Sequence, residues 1–516
     1  MNEDRTVWVL GDQLTMEVGP LADGPEAVDR VLLIEATEFG HKHPYHPHKL
    51  TLLFSAMRHF RDRLERMGFD VAYHRAETFG EGLDTHFDAH PGDHLELLRP
   101  PGHGAVERLR ELVDARGGTL TVLDNDLFFL TPTEFDEWAG EDASLRHEDF
   151  YRFQRRRTGY LMDGDAPIGG AWNFDEDNRE VPPDDWESPP VPRYDPDETT
   201  REVSAWVREE FAGGYDDPPY GGDWADPEEF FWPVTRAQAV DALERFVDER
   251  LAEFGPYQDA MLEDDATLCH ALLSAAVNVG LLTASECVEA AVDAYHQREA
   301  VPLSSVEGFV RQLLGWREYV RHVYRRAMPE MATANQLGAT EDLPDLFWTG
   351  ETDMACVESA VTGVRERGYA HHIQRLMVLS NFATTYGVEP AQLNRWFHAA
   401  FVDAYHWVTT PNVMGMGTFA TEVMSTKPYV SSANYVDGMS DHCAACPYYK
   451  TKTTGDGACP FNALYWDFLG RNEDRLRGNH RMGLVYSHWD DKDSEERTAI
   501  RERAAEIRAM AERGDL

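Results

Sequence analysis

The sequence predicts an α/β unit with a Rossmann-like, mostly parallel sheet, followed by a large all-α unit. Three observations carry this prediction. Short runs rich in Val, Leu and Ile alternate with amphipathic stretches up to about residue 124. From residue 236 onward almost every segment has helical periodicity. Between the two lies a connection rich in Pro, Asp and Trp. The expected boundaries are 1–135 for the α/β unit, 136–235 for the connection, 236–495 for the helical unit and 496–516 for a terminal helix.

In order along the chain, TVWVLGDQ (6–13) reads as a buried strand running into a turn, and RVLLIEA (30–36) as a second strand. HKHPYHPH (41–48) holds four histidines, but two prolines break any ligand register, so it reads as a loop. The stretch 49–68 is an amphipathic helix that Gly68 ends. DVAYH (70–74), HLELL (94–98) and TLTVLD (119–124) are further strands, with a helix over 105–118 between the last two. No G-x-G-x-x-G follows a strand, so the dinucleotide fingerprint is absent. Ligands of such sheets bind at the carboxyl ends of the strands, which points to Gly11, Asp12 and Gln13, and to Glu35 and Glu38. An Asp that merely caps a turn explains Asp12 equally well.

The segment 147–162 carries Arg152, Arg155, Arg156 and Arg157, the densest positive cluster in the chain. It reads either as a grip on phosphates or as a helix paired to Glu148 and Asp149. Residues 173–198 read as an extended linker. Helices are expected over 236–255, 266–282, 285–299, 306–328, 353–368, 370–387, 390–408 and 497–514.

Acidic residues outnumber basic ones by 92 to 48, a net charge of −44 over 516 residues. The acids are spread along the chain, which fits a surface adapted to a very salty cytoplasm, as in halophilic archaea, better than one acidic tail for a basic partner. Such a surface repels nucleic acid unless a local basic patch or salt offsets it. The first residues do not resemble a signal peptide and no apolar run reaches transmembrane length, so a cytoplasmic protein without membrane attachment is expected.

Three of the six cysteines, Cys443, Cys446 and Cys459, fall within 17 residues as C-x2-C-x12-C. Close thiol pairs in a reducing compartment favour a soft metal over disulfides or inert buried thiols. Zinc and an iron–sulfur cluster both fit, and a fourth ligand must come from Cys269, Cys287 or Cys356. His371 and His372 lie four and three residues before Arg375, on one side of a predicted helix. A histidine pair beside an arginine suits proton donation, although paired helical histidines are more often structural.

Several motifs together resemble one family. They are GDQL (11–14), FSAMRHF (54–60), YQDAM (257–261), EGFVRQLLGWREY (307–319), YAHHIQRLM (369–377), PNVMGM (411–416), KPYVSSANY (427–435) and the cysteine block ending in CPFNALYWDF (459–468). On these the chain resembles the photolyase/cryptochrome superfamily, in its iron–sulfur branch of bacterial and archaeal (6-4) photolyases. The resemblance implies light-driven repair of (6-4) photoproducts in UV-damaged DNA by a monomer, with FAD held in the helical unit. It implies a [4Fe-4S] cluster on Cys356, Cys443, Cys446 and Cys459, and a 6,7-dimethyl-8-ribityllumazine antenna near Asp12, Glu38 and Leu53. His371 and His372 would serve the lesion as proton donors, with Arg375 and Asp403 by the flavin ring and Tyr257, Ser274, Gln312 and Arg317 along its ribitol and phosphates. Trp316, Met416, Tyr429 and Tyr435 would wall the lesion pocket, and Arg155, Arg156 and Arg157 would lie near the DNA backbone. Trp396 and Trp348 would relay electrons, with Phe397 standing where the family often has tyrosine. The same branch also contains cryptochromes, which sense blue light without repair.

Overall fold

Five strands, β1 (Arg5–Val9), β2 (Arg30–Ala36), β3 (Val71–Ala76), β4 (His94–Leu98) and β5 (Thr119–Leu123), form one all-parallel sheet in the order β3-β2-β1-β4-β5. These are the strands expected from the sequence, two of them residue for residue. The computed structural model describes residues 5–140, 145–183, 185–211, 224–226 and 229–516, so parts of the expected connection 136–235 lie outside the described residues.

Side chains along the strands alternate between two cores. Val7, Val9, Val31 and Leu33 face a core shared with helix α1 (Pro47–Arg66) and the first helices of the all-α unit. Trp8, Leu32, Ile34, Leu95 and Leu97 face the other way, onto helices α2 (Phe79–Ala89) and α3 (Ala105–Asp114). Burial on both faces explains the near-continuous apolar runs. Helix α2 has no counterpart among the sequence-based expectations, because its two glycines and mixed polarity hide the periodicity. Gly82 is what lets α2 lie close to the sheet: a Cβ there would stand 2.5 Å from Ile34 Cγ2. The histidine-rich stretch is a turn up to His46, whose side chain caps α1; Pro47 and His48 already belong to the helix.

After β5 come helices α4 (Pro132–Ala139) and α5 (His147–Thr158) and a small hairpin of β6 (Met162–Asp163) with β7 (Ala166–Pro167). Most of 173–198 is irregular, as expected, but the acidic chain then forms helix α6 (Glu198–Phe211), whose Val203, Val207 and Phe211 join the core beneath α1.

The all-α unit departs from regular helices at five places that matter for the site. The stretch 266–282, expected as one helix, is helical only over Ser274–Val279. Leu268 and Leu272 have φ of 39° and 56°, and the buried Arg250 donates to the carbonyls of Thr267, Leu268 and His270, replacing the helical bonds lost there. The expected helix 390–408 breaks between Pro390–Ala400 and His406–Thr410, and the break carries Asp403. Wide π-helical turns occupy Arg311–Arg317, Gln374–Ser380 and Pro411–Gly417 inside otherwise continuous helices. Such turns are uncommon and concentrate at functional sites.

The loop after β1 ties the two units together. Leu14 N–H donates to Val279 O at 2.9 Å, and Gly280, at φ +87°, leaves room for it: a Cβ there would stand 2.7 Å from Leu14 N.

Candidate active site

The break at Asp403 and the π-helical turn Gln374–Ser380 bring a charged pair together in the all-α unit. Arg375 donates to both carboxylate oxygens of Asp403, at 3.0 Å each, and its Nε to Ala370 O at 2.6 Å. Ser274 Oγ donates to the same carboxylate at 2.7 Å, and Asn278 Nδ2 to Asp403 O at 2.9 Å. The guanidinium lies over the Phe401 ring, 4.3 Å from its centroid. Burial pushes the Asp403 pKa up, but Arg375, Ser274 and Lys49 outweigh it and hold the carboxyl below its ordinary value.

Beside this pair, His371 is buried and neither ring nitrogen has a protein hydrogen-bond partner. Its ring stacks on His270 at 4.6 Å. Burial, then the neighbouring His270, His372, Arg375 and His442, keep it neutral far below the usual histidine range. His372 is reached by solvent although protein surrounds it on most sides, as expected of a side chain facing a cleft. The surrounding protein and then the Arg375 charge bring its pKa down to about 4. Both rings are therefore neutral at pH 7, each with one N–H to give. An anionic guest would raise both values.

The remaining expected flavin residues are placed less tightly. Ser274 joins the Arg375–Asp403 pair. Tyr257 packs edge-on against Trp186 with centroids 5.4 Å apart, and Gln312 bonds back to Gly308 O at 3.1 Å. Arg317 is turned towards the α/β side, over the Phe128 ring at 4.2 Å and Trp407 at 5.2 Å, and donates to Leu127 O. Trp316, Met416 and Tyr435 pack against one apolar cluster, while Tyr429 is exposed. Trp316 is also covered by His147, stacked at 3.6 Å. Sequence reasoning missed His270, and it missed Asp259, whose carboxyl burial raises to about 6 and whose charge is felt by Tyr435. A lone acid in an acidic chain and a histidine in an apolar run give no signal of their own.

The arginine cluster of α5 is not an open basic patch. Arg155 is wholly buried and donates to the carbonyls of Tyr160, Leu161 and Trp172, so its expected place near a DNA backbone is corrected: it ties α5 to the hairpin. Arg152 pairs with Glu148 at 2.8 Å, and Arg157 with Glu134 at 2.6 Å. Arg156 is exposed, over the Trp172 ring.

At the carboxyl end of β1, Asp12 is pushed by burial to about 6. Leu53 packs under the preceding Gly11, its Cδ1 standing 3.0 Å from where a Gly11 Cβ would be. Glu38 instead accepts from Phe79 N–H and Arg108, holding the start of α2. Gln13 donates to Leu98 O, and Glu35 is locked in the interior by Arg58. Lys49 is buried between the units and donates to His398 O and Ala404 O, next to Asp403. Trp396 is fully buried, with Nε1 donating to Phe347 O at 3.0 Å and Phe397 edge-on at 5.2 Å. Trp348 lies 6.1 Å from Trp224.

Cys356, Cys443, Cys446 and Cys459 line a single cavity of about 340 Å³, counted with its solvent-open part. No three of the described His, Cys, Asp and Glu side chains stand where one metal ion could hold them. Four thiols around one void are the donor set of a zinc or an iron–sulfur site. Burial and their mutual proximity raise Cys356 well above the usual thiol range, and Cys459 and Cys443 to about 12 and 11, so only a bound cation would make them thiolates. Cys356 comes from the helix Ala355–Arg367, which spacing could not reveal. Asn462 fixes the loop between the other cysteines, donating to Lys450 O and Lys452 O at 2.8 Å and accepting from Ala433 N–H. Cys269 and Cys287 are buried in a different core.

A family profile described as "Deoxyribodipyrimidine photo-lyase-related protein" matches residues 7–218. Along 508 residues the chain is 39% identical to the (6-4) photolyase of Agrobacterium fabrum, covering 97% of this chain and 98% of that one. The fold is similar to a bacterial class III photolyase from Agrobacterium tumefaciens, with a TM-score of 0.57 at 17% identity over 80% of this chain and 79% of that one. It is also similar to the cryptochrome of Synechocystis sp. PCC6803, with a TM-score of 0.55 at 12% identity over 99% and 100% of the two chains.

Proposed function

The chain belongs to the photolyase/cryptochrome superfamily, among the (6-4) photolyases, and from that premise we propose that it is a light-driven DNA-repair lyase acting on (6-4) photoproducts. The observation that carries this reading is the buried histidine His371 with solvent-reached His372, set against the Arg375–Asp403–Ser274 network. FAD, which the family implies, supplies a photoexcited electron when bound in its reduced form. The buried nitrogens of His270, His371 and Gln374 that lack protein partners fit a polar guest there. Arg375 and Asp403 orient that guest and balance its charge. His372 and His371 present ring N–H groups to a flipped-out lesion and move a proton between imidazole nitrogen and lesion. Tyr257, Gln312 and Arg317 are proposed to hold the rest of the cofactor, and Trp316, Met416, Tyr429 and Tyr435 the lesion.

In the same reading the four cysteines hold a [4Fe-4S] cluster that braces the helical unit. A ribityllumazine antenna sits at the carboxyl end of β1 against Asp12 and Leu53, with residues 1–135 as its domain and 236–495 as the FAD-binding one. DNA approaches as a guest of a monomer; Arg156 and Arg157 are both exposed on α5, Arg157 held by Glu134, and Arg156 is proposed to meet a phosphate. The acidic surface is read as a salt adaptation. No helix among the described residues is long and apolar enough to cross a membrane.

The deciding experiment is photorepair of oligonucleotides with a defined (6-4) or cyclobutane lesion, at low and high salt. Light-dependent restoration of the (6-4) substrate is expected. No restoration with flavin bound and reduced would instead support a light sensor.

A further inference from the structure

His442 immediately precedes Cys443 and opens the short turn His442–Ala444. It is 1% exposed and lines the same cavity as the four cysteines. Its position is fixed from the neighbouring backbone: Asp441 Oδ1 accepts from Glu263 N–H at 2.9 Å, and Met261 N–H donates to Met439 O at 2.8 Å. Neither Nδ1 nor Nε2 of His442 has a protein hydrogen-bond partner. A neutral or protonated imidazole carries at least one N–H, and a buried donor without an acceptor is destabilising because it forfeits its hydrogen bond to water. Met354, Ala433, Val436 and Phe461 on the cavity wall are apolar, Tyr448 on the same wall makes no hydrogen bond to His442, and the ammonium of Lys450 is paired with Asp437. The acceptor that His442 lacks within the protein is therefore to be found in what fills the cavity.

We propose that His442 donates a ring N–H to a sulfur of the cluster held by Cys356, Cys443, Cys446 and Cys459, and that this bond sets the cluster's reduction potential. The inference rests on the cluster reading given under Proposed function. A hydrogen bond to sulfur stabilises the more electron-rich state, so it raises the potential. The role differs from ligation: His442 tunes the group and the cysteines hold it.

The test uses the purified holoprotein, beginning with iron and sulfide analysis. The potential is then measured by titration with dithionite, followed by the EPR signal of the reduced cluster. His442→Phe, which keeps the bulk and removes the donor, is expected to shift the one-electron reduction equilibrium up to tenfold against reduction, a change of about 59 mV. His442→Gln, which keeps an N–H, is expected to stay near the parent. A Phe variant with the parent potential would overturn the proposal, as would a Gln variant shifted as far as Phe. Should both variants lose the cluster, pulsed EPR of the reduced parent protein, 15N-labelled only at histidine, decides. A 15N coupling supports the bond, and its absence overturns it. A parent protein free of iron and sulfide removes the cluster reading itself, an outcome distinct from the others.

Discussion

Arg375 and Asp403 meet through two parallel hydrogen bonds of 3.0 Å, although one belongs to a π-helical turn and the other to a break between helices. Two irregularities of backbone are thus held together by one bidentate pair.

Asp403→Asn leaves the Arg375 charge without its partner in a largely dry site. The expected cost is about 3 kcal/mol of folding stability, read by urea unfolding, with loss of bound flavin. The sign with pH follows from the depressed Asp403 pKa. Its stabilisation is complete above the ordinary carboxylate pKa and is lost as pH falls through the lower folded value. The gap between parent and variant should therefore narrow in acid.

Lys49 acts in the same direction but in an alkaline window. Burial, opposed by the nearby Asp403 charge, brings its ammonium down to about 7. Between that value and the ordinary lysine pKa the unfolded chain binds the extra proton. Stability should rise with pH across this window, by up to about 1.4 kcal/mol per pH unit. Thermal unfolding of Lys49→Met from pH 7 to pH 10 should lack that rise.

Cys459→Ala removes one of the four thiols around the cavity and should lower iron content, melting temperature and flavin retention together. A stable, flavin-loaded variant would show that the cysteine site does not brace the helical unit.

His372→Ala should lower the photorepair rate by about 10²–10⁴-fold, the span of a lost proton-transfer group, while flavin absorbance is unchanged. The same variant with repair at the parental rate would remove His372 from the chemistry.

Trp396→Phe should slow light-driven reduction of oxidised flavin and spare repair by flavin already reduced. Phe397→Tyr, placing a phenol edge-on to Trp396, should speed the photoreduction. Both are followed by bleaching of the flavin band under blue light.

The sheet was legible because strands buried on both faces need unbroken apolar runs, and those runs are visible one residue at a time. The helical unit was legible in outline only. Periodicity over 266–282 and 390–408 reports which residues are buried, not whether Leu268 turns left-handed or where the chain breaks to present Asp403. Arg155 shows the same limit from the other side. An arginine run looks like a surface patch until the carbonyls of Tyr160, Leu161 and Trp172 take the Arg155 guanidinium inside. The histidines near Arg375 were readable as a pair, whereas the stacking of His371 on His270 depends on a contact between distant segments. The gathering of Cys356 with the three later cysteines was implied by resemblance and had no trace in spacing.

His371, His372, Arg375, Trp396 and Asp403 all lie, in chain order, between Cys356 and Cys443. A group bound across the cysteines closes one covalent circuit around every one of them. During synthesis that circuit cannot close until Cys459 has left the ribosome, so the centre is locked only near the end of translation. On the cluster reading proposed above, a cell short of iron makes the polypeptide without closing that circuit, and its tolerance of ultraviolet light follows its iron supply.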